Sequence, residues 1–119
     1  MDAAADEKDV FDRAKFISGM MDDENLAREI AGLSLVDLQK HSDGLEAVFK
    51  SGSKEDLLRA THSIKGVSAH ACCNRLKAEA ERLENELRCG SEELVRGCFE
   101  GFSELLEEGM IALKGFLES

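Results

Sequence analysis

Apolar residues recur along this chain at helical spacing, in blocks separated by short turn-forming stretches. Val10, Phe11, Ala14, Ile17, Met20 and Met21 outline a short cap helix over about residues 9–21. Asp22-Asp23-Glu24 then supplies acids suited to a helix amino end, and Leu26, Ile30, Leu33, Leu45 and Val48 carry an apolar face to about Phe49. Gly44 weakens the middle of this second helix and marks His41 to Gly44 as the place for a kink or break. Ser51-Gly52-Ser53 reads as a turn, with Ser53 as the cap of a third helix and Asp56 partly imitating a capping box. That helix runs from about Lys54 into the Cys72-Cys73 region, and a fourth follows from about Asn74 with Leu76, Ala80, Leu83 and Leu87 inward. Cys89-Gly90-Ser91 is the next stop and start. The last segment aligns Leu94, Val95, Cys98, Phe102, Leu105, Met110, Leu113 and Leu117 over about 40 Å, making it the longest expected helix. Its Gly101, Gly109 and Gly115 have low helix propensity, so packing must hold it. The fold class is all-α: an antiparallel up-and-down four-helix bundle over about residues 22–117 with an N-terminal cap helix, in one domain spanning 1–119.

Composition agrees with that reading. The chain has 119 residues, no Pro, Trp or Tyr, 43% hydrophobic residues, and a polar remainder dominated by charged side chains. No apolar run approaches the ~20 residues that span a bilayer, and Met1-Asp2-Ala3-Ala4-Ala5-Asp6 has no secretory pattern, so a cytoplasmic, soluble protein is expected. A net charge of −10 argues against nucleic acid and anionic membranes as partners. Cys72, Cys73, Cys89 and Cys98 are expected as reduced thiols. Their spacing lacks a C-x2-C pair, so no metal site is expected, and they read as small apolar fillers.

The chemistry concentrates in Ala60-Thr61-His62-Ser63-Ile64-Lys65-Gly66-Val67-Ser68-Ala69. Positions three and four apart are neighbours on a helix, so His62, Lys65 and Gly66 share one patch. A neutral imidazole is a nucleophile near pH 7 because its unperturbed pKa is about 6.5. Lys65 is placed to neutralise a phosphoryl oxygen, and Gly66 removes a side chain that would crowd it. Leu57, Ala60, Ile64, Val67 and Ala71 fall opposite His62, which therefore lies off the core stripe, flanked by Leu58, Lys65, Gly66, Ala69 and Cys73. His41 and His70 lack Lys-Gly at plus three and plus four and read as edge or solvated residues.

The run Ala60 to Ala69 resembles the motif of the histidine-containing phosphotransfer (HPt) domains, approximately Ala-His-x-Leu-Lys-Gly-x-Ser/Ala-Ala, and the bundle resemblance covers roughly residues 11–117. The resemblance implies a phosphorelay intermediate: His62 accepts a phosphoryl group on Nε2 from the aspartate of a response-regulator receiver and passes it to another receiver, with a sensor or hybrid histidine kinase upstream. It also implies charge support from Lys65, access past Gly66, an approach lined by Ser63 and Ala69, and a position for Glu84 where some members place a glutamine on the imidazole. Arg88, one turn later, would offset the Glu84 carboxylate. Cys72 stands where the family often has glycine, which implies altered packing between the third and fourth helices. Docking is expected through Leu58 and Ala69, with Phe11 added from the cap helix.

No nucleotide-binding motif is present, so the chain is expected to be a phosphocarrier with no cofactor of its own, the receiver supplying Mg²⁺. A monomer is expected, since the helices are able to bury their own faces. Two rivals share the fold: a helical adaptor acting through its acidic faces without phosphotransfer, and the excised amino-terminal module of a chemotaxis-type histidine kinase. A free-standing module is the favoured expectation of the three.

Overall fold

The computed structural model describes residues 10–119; the expected start of the cap helix at residue 9 lies outside them. Five helices follow in order: α1 (Arg13–Gly19), α2 (Glu24–Ser51), α3 (Lys54–His70), α4 (Asn74–Cys89) and α5 (Glu92–Glu118). Helices α2 to α5 pack in sequence order, and α5 closes the ring against α2, so the bundle is antiparallel and up-and-down. Turns of two or three residues leave no alternative to antiparallel neighbours. No described helix is long and apolar enough to cross a membrane.

Every helix start except that of α4, which follows Cys73 without a side-chain cap, carries its own signal. Asp12, Asp23, Ser53 and Ser91 accept hydrogen bonds from the backbone N–H three residues on, which satisfies donors that the first turn leaves unpaired. Gly52 ends α2 in the left-handed conformation at φ 76°. The end of α3 uses the same device with a less suitable residue. Cys73 N–H donates to Ser68 O at 2.9 Å and Cys72 N–H to Ala69 O at 3.4 Å, the paired bonds of a Schellman turn, and this holds Cys72 at φ 57°. A non-glycine residue there costs about 1–2 kcal/mol.

Three expectations about α2 and α5 need correction. Helix α2 runs unbroken through Gly44, because Leu38 and Leu45 are anchored in the core on either side of it. At 28 residues α2, not the 27-residue α5, is the longest helix. The buried stripe of α2 is Ala27, Ala31, Ser34, Leu38 and Leu45, so Leu26 and Leu33 turn outward, Leu33 to 61% exposure. Small side chains face inward here and let the helices approach, which rotates the stripe one position from that marked by the large residues.

Phe11 also departs from expectation. It is buried, with its ring 5.6 Å from Phe16 and 5.7 Å from Phe116, centroid to centroid, so it fastens α1 to the end of α5 and is not free to meet a partner. Asp12 N–H donates to Cys72 O at 2.9 Å, tying the same segment to the α3–α4 turn. Arg28 closes that pole of the bundle: its guanidinium donates to the carbonyls of Phe116, Leu117 and Ser119 at the end of α5, where the helix runs out of backbone donors of its own.

Candidate functional site

Helix α3 buries Leu57, Thr61, Ile64 and Ser68, with Ala71 just beyond its end. Leu57, Ile64 and Ala71 are the expected core contacts, whereas Ala60 and Val67 are only half-buried and Thr61 and Ser68 take the inward places. Hydroxyls are tolerated there because each donates to the carbonyl four residues back, at 2.7 Å. This orientation turns His62 out, with 71% of its side chain exposed, at the groove where α3 meets α4.

Across the groove stands Glu84, a carboxylate that is only 3% exposed. It is fully engaged: His62 Nδ1 lies 3.0 Å from Oε2 and Lys65 Nζ lies 2.8 Å from Oε1. Burial alone pushes the Glu84 carboxyl up, but the hydrogen bonds and charges of Lys65 and His62 outweigh it and hold the group below the ordinary carboxylate range. Glu84 is therefore ionised and accepts only, so Nδ1 of His62 must carry the proton. In the neutral ring the lone pair then sits on Nε2. One buried acid thus fixes the tautomer of an exposed ring and leaves the outward nitrogen nucleophilic.

The remaining expected site residues fall as follows. Gly66, Ser63 and Ala69 are exposed around His62, and Leu58 is half-buried beside it. Arg88 is exposed and makes no ion pair among the described residues; Lys65 balances Glu84 in its place. That pairing depends on how α3 and α4 are set against each other, and spacing within one helix carries no trace of it. His41 is half-buried and His70 exposed, and neither makes a side-chain bond among the described residues. The four cysteines are free thiols; burial pushes that of Cys73 up to about 12 and makes it unreactive. Among the described residues no three His, Cys, Asp or Glu side chains gather to hold a metal ion.

Among the described residues a Cβ at Gly66 would meet nothing within 4 Å, so their packing does not require glycine there. Gly66→Ala is expected to raise stability by about 0.5–1 kcal/mol through helix propensity alone, measured by urea denaturation.

A helical bundle that presents one oriented imidazole on an open surface has the build of a group carrier, a protein that offers a side chain to partners instead of enclosing a substrate. Residues 29–115 match the family model of the Hpt domain, and the chain belongs to that family. Membership brings a phosphotransfer role in two-component signalling, as a phosphocarrier working with receiver domains and histidine kinases. Comparisons with curated proteins and with solved structures return no match.

Proposed function

We propose that His62 is the phospho-acceptor of a phosphorelay, taking a phosphoryl group from a receiver aspartate and passing it to a second receiver. The observation that carries this reading is the Glu84 bond to Nδ1, which leaves Nε2 exposed with its lone pair free. In the transfer the Nε2 lone pair attacks phosphorus as the bond to the aspartyl oxygen breaks, and the aspartate leaves as carboxylate. Nδ1 keeps its proton throughout, shared with Glu84, which balances the positive charge that forms on the ring. Lys65 has two further N–H donors beyond the one given to Glu84, and these serve the phosphoryl oxygens. Gly66, Ser63 and Ala69 leave room for the partner, and Leu58 gives it an apolar contact. Mg²⁺ belongs to the receiver, and this chain contributes its nucleophile as a cytoplasmic monomer.

Incubation with phosphorylated receiver domains of the source organism tests the reading. Wild type is expected to take up an acid-labile, base-stable label, and His62→Gln none. Absence of label on wild type, with helicity intact by circular dichroism, would establish the adaptor reading instead.

A further inference from the structure

Charge is distributed unevenly over the bundle. From Lys54 to Cys89, the α3–α4 hairpin, there are seven Lys or Arg against six Asp or Glu; α5 has two against seven, and α2 three against five. The hairpin that carries His62 is thus net positive by one, and all of the chain's net negative charge lies away from it. Helix α5, the most acidic, packs against α2 and α4 and lies diagonally across from α3. The molecule measures 20 Å in its thinnest direction, while charges are screened over ~8 Å at physiological salt. A partner at His62 thus meets the local charges of α3 and α4.

Those local charges are partly cancelled in pairs: Lys65 with Glu84, Arg59 with Asp56, and Arg82 with Glu79. Lys77 and Arg88 are exposed and make no ion pair among the described residues. They lie seven residues before and four residues after Glu84, two helical turns to one side and one turn to the other, so they bracket the His62–Glu84 pair along α4. Glu81 is the exposed acid on the same stripe. The partner's reacting point is rich in carboxylate on chemical grounds, since an aspartate that carries a phosphoryl group with Mg²⁺ needs further oxygen ligands for the cation.

Resting on the phospho-acceptor reading, we propose that Lys77 and Arg88 form the docking contact for the acidic rim of the partner's phosphoaspartate site, and that the acidic faces of α2 and α5 keep that rim off the rest of the bundle. Opposite charge at the point of encounter raises the association rate and fixes the orientation of docking.

Two readouts on purified receiver domains test this, with circular dichroism confirming that each variant is folded. The first is the second-order transfer rate at about 30 mM and about 300 mM salt, where the screening length differs about threefold. The second is the Kd for unphosphorylated receiver. For wild type the rate is expected to fall about tenfold with added salt. Lys77→Glu combined with Arg88→Glu is expected to lower the low-salt rate about tenfold, weaken Kd to match, and leave the rate at saturating receiver within about twofold. Glu104→Lys combined with Glu107→Lys on α5 changes net charge equally, in the opposite sense, and is expected to leave both within about twofold. A salt-independent wild-type rate, an unaffected Lys77/Arg88 variant, or an equally large response on α5 would overturn the proposal while leaving His62 as acceptor. Charge-dependent binding without any label on wild type would sustain the docking face and remove the acceptor role; neither binding nor label would remove both.

Discussion

Replacing Glu84 with leucine is expected to slow phosphoryl transfer to His62 about a hundredfold, the scale on which partners that orient a reactive imidazole act. Leucine fills the buried space but accepts no hydrogen bond, so Nδ1 loses the bond that fixes its proton and the ring divides between two tautomers and several orientations. Lys65, whose side chain is a quarter exposed, turns to water without penalty, so the fold survives. Glu84→Gln keeps a carbonyl oxygen for Nδ1–H and is expected to retain activity within about tenfold. Nitrogen NMR of His62 separates the cases without any partner: protonation confined to Nδ1 in wild type and Glu84→Gln, mixed in Glu84→Leu. A single, unchanged tautomer in Glu84→Leu would show that Glu84 does not set the ring.

The same carboxyl gives a signature in acid. Its folded pKa is depressed, so Glu84 takes up a proton at lower pH in the fold than in the unfolded chain. Its contribution to stability is complete above the unfolded value, about 4.3, and is lost as pH falls through the folded one. Glu84→Gln is expected to lack that part of the acid denaturation profile.

Leu38→Ala is expected to cost about 2–5 kcal/mol, a large share of the 5–15 kcal/mol by which a domain is held folded. Leu38 is fully buried near the middle of α2, where truncation leaves a cavity that neighbouring helices close only in part. Leu33→Ala, at 61% exposure on the same helix, is expected to stay within about 0.5 kcal/mol. Urea denaturation of the pair measures the rotation of α2 directly, since a stripe through Leu26, Leu33 and Leu45 demands a large loss at Leu33.

That contrast shows what sequence patterning conveys. Turn boundaries were legible because Ser-Gly-Ser and Cys-Gly-Ser interrupt helical spacing with residues whose backbone and capping preferences are local. The outward placement of His62 was legible because Leu57, Ile64 and Ala71 mark the opposite side clearly. The rotation of α2 was not, because its inward face is built from Ala27, Ala31 and Ser34, which carry less apolar weight than the outward Leu26 and Leu33. Phe11 was expected to dock a partner, and its burial against Phe16 and Phe116 was not legible because those contacts join residues about a hundred positions apart or belong to a cap whose docking side the spacing leaves open. Glu84 came into view only through the family resemblance, and the sequence offered Arg88 as its counter-charge where the fold supplies Lys65, since partners one turn apart are visible in sequence and partners across a groove are not.

Gly66 separates two demands that usually coincide. Among the described residues nothing touches the space its missing side chain leaves, so packing gives no reason for the bare position, and the phospho-acceptor reading gives one. An engineer who selects this protein for heat resistance alone will therefore enrich alanine at position 66, and with it a methyl group beside the nitrogen proposed to accept the phosphoryl group. The most thermostable variants from such a selection would be poor carriers, and a screen that never presents the partner would not reveal it.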